Sequence, residues 1–143
     1  MNERIKEFIK KQTCASIGCV DENNSPYCFS CYYALNVEKG LLYFKSSAET
    51  RHSKILLTNP AVAGTILPDK LNKLHIKGLQ FEGNVLNAGH TLTQNAASVY
   101  YNRHPIAVTI PGDISTIKLV SIKFTDNSFG FGKKLYKRDN MEV

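Results

Sequence analysis

The chain has 143 residues, 43% of them hydrophobic, with a formal net charge of +6 and a pI of about 9.2. That length suits a single domain, 1–143, whose core needs no disulfide or metal staple. No apolar run nears the roughly 20 residues that cross a bilayer, and the charged N-terminal stretch lacks a signal-peptide core, so a cytoplasmic protein with no membrane attachment is expected.

The first element in chain order is a helix. Asn2 is placed to cap it, and Ile5, Phe8 and Ile9 recur at helical spacing. Residues 13–20 read as a strand, and the DENNSP run at 21–26 as a turn. Residues 27–36 form the second strand and 41–45 the third, joined by Glu38-Lys39-Gly40. Ser46 and Glu49 have capping-box spacing for a second helix with an apolar face of Ile55, Leu56 and Leu57. Asn59-Pro60 ends it, because the residue before proline is pushed out of the helical region. Residues 61–67 are expected as a buried strand. A turn at 68–72 leads into a long β segment at 73–87, where Gly78 and Gly83 mark bends or bulges. Thr91 and Gln94 repeat the capping-box spacing before a third helix that runs to about Tyr101. Pro111-Gly112-Asp113 then turns into a strand at 114–125, and a final strand at 129–136 precedes a frayed tail. About seven strands and three helices joined mostly by short turns describe a mostly β protein with α, an antiparallel barrel with helices at its openings, rather than a doubly wound parallel sheet.

The chemistry concentrates at 41–60, LLYFKSSAETRHSKILLTNP. Lys45, Ser46, Ser47, Thr50, Arg51, His52, Ser53 and Lys54 gather hydroxyls and cations where a helix begins. Free N–H groups and the positive end of the helix dipole make such a place attractive to a phosphate. The Arg51 guanidinium can grip a phosphate through two parallel hydrogen bonds. Ser46, Ser47 and Thr50 can donate hydroxyls or simply cap the helix, and Lys54 can serve as a second cation or as a solvated surface residue. The remaining positive charge is dispersed, with its densest runs at 6–11 and 133–138, which suits a small anionic ligand better than a nucleic acid. Cys28 and Cys31 have the C-x-x-C spacing of a zinc or redox site, but YCFSCYY reads as a strand that would place them on opposite faces. Buried free thiols are therefore expected at Cys14, Cys19, Cys28 and Cys31.

The order of strand, turn, Thr50-Arg51-His52, helix, Asn59-Pro60, small-residue strand and glycine-bearing long strand resembles the FMN-binding split barrels of the pyridoxamine-phosphate-oxidase-like superfamily. There a Ser-Arg-Lys motif followed by Asn-Pro holds the flavin phosphate. NPAVAGT, IKGLQFEG, YYNRHP and IKFTDNSFGFGKK extend the likeness over nearly the whole chain, to the small bacterial YhbP-like group. The resemblance implies an antiparallel split β-barrel, homodimeric, with FMN at the subunit interface, its phosphate at the Arg51 turn, and a small-molecule substrate. His52 stands where the family has lysine, so one fixed cation is lost unless the ring is protonated, and Lys54 lies one turn away to compensate. The family's C-terminal substrate arginine has no counterpart, so vitamin B6 is not implied as the substrate.

Further residues take roles within that frame. Lys45 would set a cation beside the electron-rich flavin edge. Ser30 and Tyr32 share one face of the second strand and would meet the ribityl chain or ring, or pack the barrel. Lys77 and Gln80 flank Gly78, and Gln80 can read a pyrimidine edge with both donor and acceptor. Arg103 and His104 would touch substrate or the partner subunit, or serve the helix C-terminus. Phe129, Phe131, Lys133 and Lys134 would form an aromatic and basic lip. The function expected is a flavin-dependent oxidoreductase that binds FMN. The alternatives are a non-catalytic flavin, deazaflavin or haem module on the same fold, and behind them a basic nucleic-acid-binding barrel.

Overall fold

The computed structural model describes residues 1–127 together with the backbone pairing of 135–140. Helix α1 (Glu3–Lys11) starts where the Asn2 side chain accepts the Arg4 N–H at 2.8 Å. Its apolar face, Ile5, Phe8 and Ile9, is buried, and each such side chain contributes about 1.5–3 kcal/mol on leaving water. Phe8 meets Phe124 with ring centres 5.1 Å apart, and the Tyr33 hydroxyl donates to the Ile9 carbonyl. Arg4 Nη2 lies 2.8 Å from Asp126 Oδ2, on a carboxylate whose side chain is 2% exposed. Loss of Arg4 would remove this ion pair from a carboxylate that water scarcely reaches.

Seven strands form one antiparallel sheet in the order β3-β2-β1-β4-β5-β6-β7. They are β1 (Cys14–Val20), β2 (Pro26–Asn36), β3 (Leu41–Ser46), β4 (Ala61–Ile66), β5 (Lys77–Val85), β6 (Asp113–Asp126) and β7 (Leu135–Asn140). Residues 113–118 of β6 pair with β3 while 117–126 pair with β5, which closes six strands into a barrel. Past the end of β3, β7 takes over the same edge of β6, from Ser121 with Asn140 to Asp126 with Leu135. Side chains alternate across the sheet: Ile17, Phe44, Phe81 and Ile122 enter the core, whereas Ser16, Ser30 and Gln80 face outward. Closure leaves few unpaired sheet edges.

Several elements differ from the sequence expectation. Helix α2 (Arg51–Thr58) is capped by Thr50, whose Oγ1 accepts the Ser53 N–H at 3.3 Å, and not by Ser46. Ser46 is drawn into β3 by its pairing with Asp113. Strand β4 is half-exposed rather than buried throughout, with Ala61, Ala63 and Thr65 facing outward. The long segment at 73–87 shortens to β5, and its bulge falls at Glu82/Gly83 while the register runs unbroken through Gly78. Asn72 accepts the Leu74 N–H at 3.0 Å, so the residues before β5 turn instead of pairing. Residues Thr91–Thr93 form a 3-10 turn capped by the His90 ring, and helix α3 (Ala96–Arg103) starts only afterwards. The last strand lies later than 129–136, and Arg138, Asp139 and Asn140 pair with β6 instead of fraying. Cys14 and Cys28 are exposed and Cys31 is half-buried, so the expectation of four buried thiols holds for Cys19 alone. Among the described residues no helix is long and apolar enough to cross a membrane.

Gly64 is required by packing between β1 and β5. A Cβ at this position would sit 2.3 Å from Phe81 Cζ and 2.7 Å from the Ser16 carbonyl oxygen. Gly64→Ala is expected to destabilise the fold by about 1–3 kcal/mol in urea denaturation, the usual cost of overpacking. Gly89→Ala, where a Cβ meets nothing within 4 Å, should leave the midpoint unchanged.

Candidate functional site

Between Ser46 and Arg51 the chain folds into a compact knot of hydroxyls. Ser46 Oγ is 3.1 Å from Ser53 Oγ, and Thr50 Oγ1 is 2.7 Å from Ser53 Oγ. The Ser47 carbonyl accepts from Thr50 Oγ1 at 2.9 Å and from Ser53 Oγ at 2.8 Å. Ser47 Oγ accepts the Glu49 N–H at 3.3 Å. Thr50 also satisfies the Ser53 and Lys54 amides through its side chain and carbonyl. Among the described residues this leaves the Arg51 and His52 amides unshared at the open end of α2, where the helix dipole is positive.

Arg51 stands at this end with its side chain 59% exposed. Its Nη2 lies 3.2 Å from Asp21 Oδ2, and its Cζ lies 5.1 Å from the centre of the Tyr27 ring. His52 turns the other way. Its imidazole stacks on Phe29 with centres 3.7 Å apart and planes 7° from parallel. Its Nε2 lies 3.3 Å from Thr50 Oγ1. Burial pulls the His52 pKa below its ordinary 6.5. Lys54 is exposed on the surface of α2.

Two clefts lie close to these residues. One, of about 580 Å³, is bounded by Ser46, Ser53, Leu56, Tyr101, Asp113 and Thr116. The Thr116 hydroxyl is buried there and has no hydrogen-bond partner among the described residues. The other is an open groove of about 530 Å³ on the outward face of β1, β4, β5 and β6. Small residues (Ser16, Gly18, Ala63) form its floor, and Gln80, Glu82 and Lys123 line it. The groove and the Ser46–Ser53 knot share no lining residue.

The sequence candidates therefore fall into separate places. Ser46, Ser47, Thr50, Arg51 and His52 come together. Ser30 and Tyr32 lie on the outward face of β2, where Ser30 Oγ is 3.4 Å from Ser16 Oγ and Tyr32 faces His104 at 5.7 Å. Gln80 shares that outer surface across β1 and β4. Lys77 lies elsewhere, in a cleft of about 550 Å³ with Arg4, Asp69, His75 and Asp126. The Lys45 ammonium donates to the Ala107 carbonyl at 2.7 Å and to the Ile110 carbonyl, and it lies 4.8 Å from the Tyr101 ring centre. Arg103 donates to the Gln12 carbonyl at 3.1 Å, and the His104 ring meets the Tyr33 carbonyl at 2.7 Å. Phe129, Phe131, Lys133 and Lys134 lie outside the described residues.

Sequence reasoning missed Asp21, Tyr27, Phe29 and Thr116. Asp21 was legible only as part of a turn. Ser53, named in the hydroxyl cluster, lies three residues after Thr50, the spacing of a cap and its amide partner. The alternation of β2 groups Tyr27 with Phe29, but nothing in it points to α2.

A closed antiparallel barrel with a hydroxyl- and arginine-bearing turn between β3 and α2 defines the class as a split barrel. Residues 1–121 match the model of the pyridoxamine 5'-phosphate oxidase family, and the chain belongs to that family. It is 33% identical over 132 residues to a UPF0306 protein of Yersinia pseudotuberculosis, covering 92% of this chain and 89% of that one. The fold resembles that of a haem-binding protein from Mycobacterium smegmatis, with a TM-score of 0.76 and 11% identity over 94% of this chain and 56% of the other. It also resembles an FAD-binding protein from Mesorhizobium loti, with a TM-score of 0.67 and 18% identity over 90% and 96% of the two chains.

The stacked His52 has a consequence for stability. Its depressed pKa means that the folded chain binds this proton less readily than the unfolded chain. The stability it contributes is complete above about pH 6.5 and is lost as the pH falls. Urea midpoints measured from about pH 7.5 down to about pH 5 should decline, and His52→Phe, which keeps a ring on Phe29, should reduce the decline.

Proposed function

We propose that the chain binds FMN as a homodimer and acts as a flavin-dependent oxidoreductase, with the flavin phosphate held at the turn between β3 and α2. The observation that carries this reading is the Arg51 guanidinium, largely exposed at the open end of α2 beside the hydroxyls of Ser46, Ser47 and Thr50. Arginine, hydroxyls and two unshared amides make a donor set that suits a dianionic phosphate and has little use for a neutral ligand. Lys54 adds a second cation on the next turn. His52, neutral at ordinary pH and stacked inward, supports the turn from beneath.

Ser30, Tyr32 and Gln80 offer hydroxyl, phenol and amide contacts on the outward sheet face, suited to a ring held between two copies of the chain. Lys45 serves the same site indirectly, by fixing the segment 105–110 beside Tyr101. A second copy would also cover the aliphatic residues Ile106, Val108 and Ile110, which are exposed in the single chain. When bound, the flavin supplies hydride and single-electron chemistry that no side chain offers. The protein's own residues then orient it, neutralise its phosphate and exclude water.

Titration with FMN should give a complex with two visible absorption bands. Arg51→Glu should weaken FMN binding at least about tenfold, or about 1.4 kcal/mol. Unchanged affinity in that variant would overturn the phosphate assignment. A second reading, haem binding without turnover, is favoured by the fold shared with the M. smegmatis haem-binding protein. A Soret band on haem addition, with no flavin uptake, would establish it in place of the first.

A further inference from the structure

Arg51 is not held by α2 alone, because the turn between β1 and β2 reaches across to it. Asp21 Oδ1 accepts the N–H groups of Asn23 at 2.8 Å and Ser25 at 2.9 Å. The Asp21 N–H donates to the Ser25 carbonyl at 3.0 Å, and Asn24 adopts a φ of 61° at the tip. These bonds lock the carboxylate by one oxygen and direct the other at Arg51 Nη2. The Tyr27 ring, just after the turn, lies beneath the guanidinium. The long, flexible arginine side chain is thus held at two points, and the rest of its five-donor fork is left for a ligand.

We infer that Asp21 is a positioning residue: it orients the Arg51 guanidinium for a phosphate group, and the β1–β2 turn is therefore part of the anion site. This rests on the flavin-phosphate reading above. Two effects oppose each other here. An exposed ion pair is worth little by itself, and a carboxylate near a dianion is repulsive, but both are weak in water. Fixing a rotamer-rich side chain before the ligand arrives removes an ordering cost that otherwise falls on binding. The second effect is the larger where the geometry is already locked by main-chain bonds. The turn amides, with the arginine charge, also hold the Asp21 carboxyl below its usual pKa, so the anchor stays ionised at neutral pH.

The test compares FMN with riboflavin, which lacks the phosphate, on the full chain by flavin fluorescence. Asp21→Asn keeps an oxygen to accept the turn amides and removes the charge that holds Arg51. It should weaken FMN binding about threefold or more and leave riboflavin binding unchanged. Asp21→Ser, whose hydroxyl also accepts turn amides, should give the same pattern. In an Arg51→Lys background, Asp21→Asn should add less than about a 1.5-fold effect, since the geometry it protects is gone. FMN affinity equal to or tighter than that of the native chain would overturn the inference, and so would equal losses for FMN and riboflavin. If the native chain itself takes up no FMN, the flavin reading falls and this inference with it. If FMN binds and the Asp21 variants match the native chain, the inference alone fails.

Discussion

Strand β6 pairs with β3 along its first residues and with β5 along the rest, and the overlap at Ile117 and Lys118 closes the sheet. Without it, β3 would be an open edge and the Ser46–Asp113 pair could not form. That pair fixes where β3 stops, and the stop fixes where the Ser46–Ser53 knot and the N-terminus of α2 emerge. The bulge at Glu82/Gly83 serves the same closure: a Cβ on Gly83 would lie 2.6 Å from the Lys118 carbonyl oxygen, just where β6 changes partners. The position of the Arg51 turn is thus a product of sheet topology more than of local helix propensity.

Within that corner two adjacent basic residues do different work. Arg51 projects outward and is steadied by Asp21 and Tyr27. His52 folds back onto Phe29, with Phe44 beyond it at 6.4 Å. A lysine at this position would have no flat face to stack, and its ammonium would seek water or an anion. The histidine therefore exchanges a permanent charge for packing against the barrel. The corner keeps one fixed cation in Arg51, while Lys54 contributes from the helix surface. Such a site depends more on the direction of a single guanidinium than on accumulated charge.

Local patterns carried most of the fold. Alternation in β1 and β2, helical spacing in α1 and the Asn-Pro stop after α2 all appear in the structure close to where the sequence places them. The errors have two causes: strand partners that outcompete local signals, and local side-chain bonds that the patterns did not single out. Ser46 has cap chemistry, but Asp113 across the sheet takes it into β3. Thr91 has capping-box spacing, but the His90 ring takes the Leu92 N–H at 3.0 Å and diverts the chain into a 3-10 turn. The grouping of Ser46, Thr50, Arg51 and His52 was legible because these residues adjoin in sequence. Its supports were not: Asp21 is 30 residues from Arg51, and no short-range pattern links a β-turn aspartate to a later helix. The carbonyls that hold Lys45 lie 62 and 65 residues further on.

Those carbonyls give Lys45 a meaning that its position in the chain conceals. Its ammonium staples the Ala107 and Ile110 main chain, while Ile106, Val108 and Ile110 point their aliphatic side chains to the outside. A lysine that adjoins a turn rich in hydroxyls and arginine would ordinarily be counted among ligand contacts when relatives are aligned. Here its neighbour in space is the backbone of another segment. A relative lacking this lysine would keep the Arg51 turn and differ instead in how firmly it displays that oily ridge, so comparisons that score the turn by its basic residues would misjudge it.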